Sequence, residues 1–461
     1  MWEVGDDRSS GDSGYVQTRI AKGHQGEVMF TKEFRPEMNV EKTQSNPLTW
    51  VMEFRRKLYL AAKERPERGF GVLYDKVCRQ DVLMEAWKRV SANKGGCGVD
   101  MVSIRYIREE YGEEKFVSEL QEVLVREGYE PAEIRRVYIP KDNGEKRPLG
   151  IPTVKDRVVQ MAVKLIIEPL FEADFLDVSY GYRPGRSNQQ AVERVHMLSN
   201  GLKWVVDVDL KGYFDTIPHV RLMEQVTKRV RDPKVLSLIH RWLKAGIIEE
   251  GEVTEPECGT PQGGVLSPLL SNIYLHEFDR NWKRWHGQLV RFADDMLIMC
   301  KTKEEAVKAL GEIGRLIGGL GLKLNMVKTN IRHASEGFDF LGFTFREGYS
   351  RRLKRKVMVK YPRKKSLCKV KTKLKERLKK MPLGNTMGEA IKACNPIIRG
   401  WMNYFRIGHT YRAAMEVSEI ACSQLRIFWR RKKQRKRSFG NVKWKNKFFY
   451  DKGLLYAPAL I

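Results

Sequence analysis

The stretch that decides the fold is Leu289-Val290-Arg291-Phe292-Ala293-Asp294-Asp295-Met296-Leu297-Ile298-Met299-Cys300. Apolar residues lead into two aspartates and out again, which predicts a buried β-hairpin with two carboxylates at its tip. Burial and mutual repulsion both disfavour such a pair, and a divalent cation such as Mg²⁺ would resolve the conflict. Paired Mg²⁺ ions catalyse phosphoryl transfer. The alternative is a solvated Asp-Asp turn, so the metal interpretation needs a third carboxylate.

The bulk composition indicates a polyanionic partner. The 461 residues carry 85 Lys and Arg against 57 Asp and Glu, a formal charge of +28, and 42% are hydrophobic. A protein this basic usually faces nucleic acid. No lipidation motif or apolar run of membrane-spanning length is present, so no membrane partner is expected. Seven cysteines without a C-x-x-C pair indicate a reducing compartment and argue against a zinc module, so a cytoplasmic, ribonucleoprotein- or nucleoid-associated location is expected.

A second predicted strand, residues 203–210, supplies the third carboxylate. Asp207 and Asp209 are two residues apart, so both side chains leave one face of that strand. If the strand lies beside the hairpin, Asp209 approaches Asp294 and Asp295. A solvated strand end is the alternative for Asp207. For Asp215, which follows in Lys211-Gly212-Tyr213-Phe214-Asp215, a helix N-cap is the preferred interpretation.

Three further segments are candidates for ligand contacts. Residues 133–152 predict a hairpin with Lys141 and Arg147 near its tip, which could hold a triphosphate; a solvated surface hairpin is favoured when the segment is taken alone. Glycines in the loop 258–268 let its backbone approach a ligand, and Gln262 could donate to it. The loop 180–187 offers Arg183 and Arg186 to a nucleic-acid backbone, unless it merely covers the core.

The order of elements predicts an α+β fold. Strand, helix, hairpin, helix and strand follow one another from residue 203, which fits a split βαβ ferredoxin-like antiparallel sheet. Residues 322–330 and 338–345 are expected to be closing strands of that sheet. Beyond residue 350, 16 of 30 residues are Lys or Arg, a density typical of nucleic-acid surfaces. Three helices follow, and the basic run after residue 429 precedes Trp444, Phe448, Phe449 and Tyr450, a mixture that suits phosphates and bases.

Seven blocks of sequence follow one another along the chain. They are Asn93-Lys94-Gly95 with Gly98-Val99-Asp100, Arg147-Pro148-Leu149-Gly150-Ile151-Pro152, Gly181-Tyr182-Arg183-Pro184-Gly185-Arg186-Ser187, Asp209-Leu210-Lys211-Gly212-Tyr213-Phe214-Asp215, Pro261-Gln262-Gly263-Gly264-Val265-Leu266-Ser267-Pro268-Leu269, Phe292-Ala293-Asp294-Asp295, and Arg399-Gly400-Trp401-Met402-Asn403-Tyr404-Phe405. With these blocks, the chain from about Asp81 to its end resembles the reverse transcriptases encoded by group II introns. Seven blocks in the family's order are far more specific than any single match. Phe292 stands where that family mostly has Tyr.

The resemblance implies an RNA-directed DNA polymerase that is also a maturase. Its fold would be a right-hand polymerase with fingers and a ferredoxin-like palm over residues 49–350. A helical thumb and maturase domain would cover 351–430, a DNA-binding tail 431–461, and a polar tail 1–48. Its partners would be group II intron RNA, an RNA template with a DNA primer, target DNA and dNTPs, while the oligomeric state stays open.

The resemblance also assigns roles to residues. Asp209, rather than Asp207, would join Asp294 and Asp295 in holding two Mg²⁺ ions, with Mn²⁺ as a substitute. The nucleotide would be bound by Lys141, Arg147, Gln262 and Lys328, and one of two rings would exclude a ribose 2′-hydroxyl, with Tyr213 preferred over Phe214. Nucleic-acid contacts are expected from Arg183, Arg186, Phe340, Leu341, Gly342, Arg351, Arg352, Lys354, Arg355, Lys356, Arg430, Arg431, Lys432 and Lys433.

Two alternatives remain at this stage. One is a reverse transcriptase recruited to host defence, and the other is a splicing-only RNA-binding maturase. The family often carries a C-terminal endonuclease with Cys and His metal ligands, and no such cluster occurs before Ile461. Priming is therefore expected from elsewhere, for instance from a nascent strand at a replication fork.

Overall fold

A computed structural model of the chain describes residues 47–93, 95–140, 144, 146–350, 354–434 and 444–461. Three residues expected at functional sites, Lys141, Arg351 and Arg352, lie outside the described residues, as does nearly all of the predicted tail 1–48. Described residues all fall within one compact unit, Gln44–Ile461.

The helices are spread along the whole described chain. In chain order they are α1 (Pro47–Glu64), α2 (Tyr74–Val77), α3 (Gln80–Ala92), α4 (Ile104–Tyr106), α5 (Glu113–Val125), α6 (Val154–Glu172), α7 (Asn188–Leu198), α8 (Tyr213–Thr216), α9 (His219–Thr227), α10 (Pro233–Lys244), α11 (Ser267–Asn281), α12 (Lys303–Gly319), α13 (Lys364–Lys379), α14 (Met387–Phe405), α15 (Tyr411–Lys432) and α16 (Asn446–Tyr450).

The strands form three small sheets. In chain order they are β1 (Ile134–Pro140), β2 (Lys146–Ile151), β3 (Trp204–Val208), β4 (Ile247–Glu249), β5 (Glu252–Thr254), β6 (Gln288–Phe292), β7 (Asp295–Cys300), β8 (Asn330–His333), β9 (Phe338–Phe340), β10 (Phe343–Ser350) and β11 (Arg355–Pro362). The sheet orders are β6-β7-β3-β8, β2-β1-β4-β5 and β11-β10-β9.

The sheet β6-β7-β3-β8 carries the predicted hairpin. All its pairs are antiparallel, and β3 lies between β7 and β8. This is the strand order of a split βαβ sheet, as the alternation of strands and helices predicts. Val206, Val208 and Ile298 pack against α12 and its neighbours in one core, while Val205 and Leu297 pack on the opposite face in another. The sheet is therefore covered on both faces, which explains the near-continuous apolar sequence of β7.

The prediction that residues 322–330 and 338–345 form the closing strands of this sheet is partly wrong. Residues 322–330 are mostly a turn, in which Leu324 bridges Leu210, and the fourth strand begins only at Asn330. Residues 338–345 form β9 and the start of β10, which belong to the separate sheet with β11. The basic composition of residues 351–362 conceals β11, so the predicted domain boundary at residue 351 separates two strands, β10 and β11, that pair with each other.

The helices α13, α14 and α15 pack around their own core, as expected. Thr386 begins α14 with a capping box to Glu389, and Leu374, Ile398 and Phe428 are fully buried. The C-terminal segment, however, is part of this core rather than a tail. Trp444 is 6% exposed and Phe449 is completely buried. Helix α15 also runs through Arg430 to Lys432, so the predicted boundary at residue 431 cuts a helix.

None of the helices in the described part of the chain combines the length and the apolar character needed to cross a bilayer.

Candidate active site

The two aspartates lie at the tip of a hairpin, as predicted. Phe292 pairs with Asp295, so Ala293 and Asp294 alone form the connection between β6 and β7. Ala293 has φ +57°, a left-handed conformation that costs a residue with a Cβ about 1 kcal/mol. Such strain persists only where the surroundings hold it, and it concentrates at functional sites.

The fully buried side chain of Arg291 links this turn to helix α11. The Arg291 guanidinium donates to Asp279 Oδ1 at 2.8 Å and Oδ2 at 2.5 Å, and neither side chain is exposed. It also donates to Asn272 Oδ1 at 3.0 Å and to the Ala293 carbonyl at 2.9 Å. Sequence reasoning missed this network, because Arg291 stands in an apolar strand and nothing in the sequence identifies its partner on α11.

A glycine brings the loop 180–187 directly against the turn. A Cβ on Gly181 would lie 2.4 Å from the Ala293 nitrogen, too close for any side chain, and 3.0 Å from the Phe292 carbonyl carbon. The Gly181 carbonyl accepts a 2.7 Å bond from Asn272 Nδ2. Asn272 therefore links this loop to the Arg291 network.

Strand β3 brings Asp207 and Asp209 to the same sheet. Asp207 pairs with Leu297 of β7 and Asn330 of β8, and Asp209 follows the last residue of β3. Asp209 Oδ2 accepts a 3.2 Å bond from Asn325 Nδ2 and contacts Lys328 Nζ at 3.3 Å. The structure therefore places Lys328, a predicted nucleotide-binding residue, beside the predicted metal ligand Asp209.

Burial and mutual repulsion raise the pKa values of three carboxyl groups at this site. Asp295 is accessible to solvent, yet surrounding protein raises its pKa to about 7, with further raising contributions from Asp294, Asp207 and Asp209 and an opposing one from Arg147. Burial likewise raises the pKa of Asp294, again against Arg147. Burial raises the pKa of Asp207 to about 6, while Arg332 opposes the shift. Asp207 is thus a fourth carboxylate close to the predicted three.

The donor set fits a hard divalent cation by its chemistry. These carboxylates repel one another and therefore resist ionisation. A bound Mg²⁺ ion would stabilise their ionised form, because it prefers charged oxygen ligands. Among the described residues, no three acidic, His or Cys side chains converge tightly enough to ligate one ion as they stand. The positive charge next to the Asp209 carboxylate is supplied by Lys328, whose Nζ lies 3.3 Å away.

Arg147 and Gln262 meet as a predicted nucleotide pocket requires. Arg147 Nε donates to Gln262 Oε1 at 2.9 Å, and Gln262 Nε2 donates to Asp215 Oδ2 at 3.1 Å. Asp215 is thus a partner of Gln262 rather than the predicted helix N-cap, a position that Gly212 takes. Gly263, with φ +115°, passes so close to β2 that a Cβ would lie 2.4 Å from the Gly150 carbonyl oxygen.

The preference for Tyr213 as the ring that faces the ribose is wrong. Tyr213 is 2% exposed, and its hydroxyl donates to the Ser271 carbonyl at 2.7 Å, so it points into the core. Phe214 is half-buried, and its carbonyl accepts a 2.6 Å bond from Thr260 N in the loop that carries Gln262. Phe214 is therefore the ring of this pair that remains available to a nucleotide.

The prediction that Arg183 contacts a nucleic-acid backbone is wrong, because its side chain is buried and bonded within the protein. It is 7% exposed, pairs with Glu172 at 2.7 Å, and donates to the carbonyls of Leu176 and Ser179 at 2.6 and 2.7 Å. These bonds fasten the loop 180–187 to the end of α6. Arg186 is more exposed and pairs with Asp177, so it stays a candidate contact.

The predicted nucleic-acid contacts Phe340, Leu341 and Gly342 lie at the turn between β9 and β10. Leu341 and Gly342 have φ +45° and +80°, and Phe340 before them is buried. The Leu341 carbonyl accepts a 2.9 Å bond from Tyr404 Oη, and the Gly342 carbonyl accepts one of 2.9 Å from Arg363 N. The turn is thereby fixed against α13 and α14.

The other predicted nucleic-acid contacts are on the surface. Lys354, Arg355 and Lys356 are exposed at the turn and start of β11. Of the basic run, Arg431 and Lys433 are exposed, and Arg430 and Lys432 are half-exposed. Lys432 Nζ already donates to the carbonyls of Gly384 and Asn385 at 2.8 and 2.7 Å, so it contributes to the helical core as well.

Comparison with protein families places two regions of the chain. Residues 139–345 match the model described as "Reverse transcriptase (RNA-dependent DNA polymerase)". Residues 367–448 match the model described as "Group II intron, maturase-specific domain". The first region contains all four carboxylates and the Arg147–Gln262 pair, and the second contains most of the helical core.

Several proteins resemble the chain over much of its length. "Protein YkfC" of Escherichia coli (strain K12) is 35% identical over 359 residues, which are 68% of this chain and 93% of that protein. "Group II intron-encoded protein LtrA" of Lactococcus lactis subsp. cremoris is 31% identical over 366 residues, 65% of this chain and 60% of that protein. "Putative COX1/OXI3 intron 1 protein" of Saccharomyces cerevisiae is 27% identical over 411 residues, 72% and 47% of the two chains. The chain belongs to the family of reverse transcriptases that carry a group II intron maturase-specific domain.

Proposed function

We propose that the protein is an RNA-directed DNA polymerase that extends a DNA primer with dNTPs on group II intron RNA. The observation that supports the proposal is that Arg147 acts electrostatically on the carboxyl groups of Asp294 and Asp295, which Asp209 also influences. Arg147 is in turn bonded to Gln262. Carboxylates beside a cationic nucleotide pocket are what phosphoryl transfer requires.

Asp209, Asp294 and Asp295 would hold two Mg²⁺ ions, which Mn²⁺ could replace. Reverse transcriptases generally use divalent metals, and the ions would lower the charge repulsion at the reacting phosphate. Arg147 would bind and orient the triphosphate, Gln262 would fix Arg147, and Phe214 would restrict the ribose. Lys328 would release Asp209 and turn to the phosphates, because its side chain is 69% exposed and can move.

The fold would be arranged as a right hand. Residues 49–350 would supply fingers and palm, and the hairpin β10–β11 would join the palm to the helical thumb and maturase region. This region would begin at Lys364 and include residues 444–461, since Trp444 and Phe449 are buried in its core. Exposed cations on α13, at the start of β11 and at the end of α15 would bind intron RNA, the template–primer duplex and target DNA.

Extension of a labelled DNA primer annealed to an RNA template tests the polymerase, with intron RNA as one template. We expect Mg²⁺-dependent addition of dNTPs that a chelator abolishes. Self-splicing of the intron RNA with and without protein tests the maturase in a separate reaction. Splicing without any extension would contradict the polymerase and would favour a splicing-only RNA-binding maturase.

A further inference from the structure

Asp215 lies at the outer end of a chain of hydrogen bonds that reaches Arg147. Gln262 Nε2 donates to both carboxylate oxygens of Asp215, at 3.2 and 3.1 Å. On its other side, Gln262 Oε1 accepts from Arg147 Nε at 2.9 Å. The three side chains are therefore linked in one line, with the amide of Gln262 in the middle.

The chemistry of the two outer groups fixes the orientation of this amide. An ionised carboxylate only accepts hydrogen bonds, and a guanidinium group only donates them. The amide of Gln262 has one donating end and one accepting end, so a single orientation satisfies both neighbours. Without Asp215, nothing in this chain opposes a rotation of the amide by 180°. Such a rotation would turn the NH₂ group of Gln262 towards Arg147, so that two donors would face each other.

The backbone around Asp215 brings the two segments close enough for this chain to form. Gly259 has φ +90°, and a Cβ at this position would lie 2.9 Å from the backbone of Asp215. Cys258 Sγ donates to the Asp215 carbonyl at 3.3 Å, and Gly259 N donates to the Ile217 carbonyl at 2.8 Å. Backbone packing thus sets the separation of Asp215 and Gln262, and the side chains decide which way the amide faces.

Arg147 ends the chain on the side of the metal-binding carboxylates. Its side chain is exposed, and it influences the carboxyl groups of Asp294 and Asp295. An exposed arginine has many rotamers, so a bond at Nε restricts the direction of the whole planar group. Because Gln262 takes Nε, the two terminal nitrogens of Arg147 are the ones that can meet a phosphate in a bidentate manner.

We propose that Asp215 is a positioning residue for the incoming nucleotide: it orients the amide of Gln262, which in turn aims the guanidinium group of Arg147 at the triphosphate. The inference rests on the proposed polymerase function and assigns Asp215 no contact with the substrate. Asp215 also carries a negative charge, which by itself would repel a triphosphate. A positioning role and a purely electrostatic role therefore predict opposite effects when the acceptor is removed.

The test is the addition of one dNTP to a primer on an RNA template by the full chain, over a range of dNTP concentrations. Asp215→Ala removes the charge and the acceptor, whereas Asp215→Asn removes the charge but keeps an acceptor oxygen for Gln262. We expect Asp215→Ala to raise the KM for dNTP about tenfold, more than it lowers kcat, and Asp215→Asn to reverse most of this increase. The control is Asp75→Ala, which removes an exposed aspartate paired with Lys76 and should keep the wild-type KM.

A double-mutant cycle tests whether Asp215 acts through Gln262. Gln262→Ala should raise the KM as well, and the double variant D215A/Q262A should differ from Gln262→Ala by less than about twofold, because residues that act in one chain are not additive. Additive increases in KM overturn the inference. So does an equal rise in Asp215→Ala and Asp215→Asn, or a KM for Asp215→Ala at or below that of wild type.

The two proposals fail separately. Wild-type protein that extends no primer contradicts the polymerase. Wild-type protein that extends the primer, together with an unchanged KM in Asp215→Ala, contradicts only the positioning role. Thermal unfolding of each variant shows that a raised KM does not reflect a lost fold.

Discussion

Phe214 and Tyr213 are adjacent in sequence but occupy opposite environments, and this difference gives the first prediction. Replacing Phe214 with Ala should open the space beside the ribose and raise incorporation of ribonucleotides relative to deoxyribonucleotides by about 10- to 100-fold. Tyr213→Phe should leave the ratio unchanged, since it removes only the bond to the Ser271 carbonyl, at a cost of about 1 kcal/mol in stability. Competition between dNTPs and rNTPs in primer extension measures the ratio. A change with Tyr213→Phe and none with Phe214→Ala would reverse the assignment.

Arg291 gives the second prediction at this scale. Arg291→Ala should lower the free energy of unfolding by about 3–5 kcal/mol, because Asp279 would remain charged and buried without a partner. Arg315→Ala is the control, since its pair with Glu312 is 68% exposed on the arginine side and should contribute at most about 1 kcal/mol. Denaturant unfolding followed by circular dichroism provides both values. Equal losses for the two variants would show that the buried network does not stabilise the turn.

At the scale of elements, the packing of the loop 180–187 on the hairpin can be tested with one methyl group. Gly181→Ala should displace the turn 293–294, because the added Cβ would meet Ala293 N at 2.4 Å. We expect a fall of at least about 100-fold in the rate of primer extension, since sub-ångström shifts of catalytic groups are costly. Gly201→Ala is the control, as nothing lies within 4 Å of its Cβ. An active Gly181→Ala variant would contradict the close packing.

The local sequence pattern was sufficient to predict those elements that pair with a neighbouring segment of the chain. The hairpin tip at Asp294 and the strand before Asp209 are both predictable from apolar periodicity and turn residues. Elements with distant or concealed partners were not predicted in this way. Strand β11 contains Val357, Val359 and Tyr361, which favour a strand, but they stand among basic residues that drew the interpretation to a nucleic-acid surface, so the separate sheet β11-β10-β9 was not predicted.

The same physical reason explains which site residues the sequence could assign. Carboxylate, glycine and glutamine positions follow from the ordered blocks of the family resemblance. Burial does not, because it depends on the tertiary neighbours of each side chain. Arg183 and Trp444 therefore looked like nucleic-acid contacts, although Arg183 bonds to carbonyls of the segment that follows α6 and Trp444 lies in the helical core.

For the whole molecule, the raised carboxyl pKa values predict how stability depends on pH and metal. The folded pKa of Asp295 is about 7, against an ordinary value of 3.8. The folded state therefore keeps a proton that the unfolded chain loses, and the contribution of Asp295 to stability falls as pH rises from about 4 to 7. Without divalent cations, Asp295→Asn should thus gain stability relative to wild type between pH 5 and pH 8.

Mg²⁺ should reverse this trend, because an ion binds the ionised carboxylates of the folded state. Thermal unfolding of wild type should show a larger rise in Tm on adding Mg²⁺ at pH 8 than at pH 5. Asp295→Asn should show a smaller rise at pH 8. A Mg²⁺ effect that is the same at both pH values, or the same in both proteins, would contradict a metal site at these residues.

The central claim is that Asp209, Asp294 and Asp295, rather than Asp207, carry the chemistry of nucleotide addition. The most direct test is the single-turnover rate at which one dNTP is added to a primer on an RNA template in saturating Mg²⁺. We predict that Asp209→Asn and Asp294→Asn each lower this rate by at least about 1000-fold, while Asp207→Asn stays within about tenfold of wild type. An Asp294→Asn variant that adds nucleotide at nearly the wild-type rate would contradict the account.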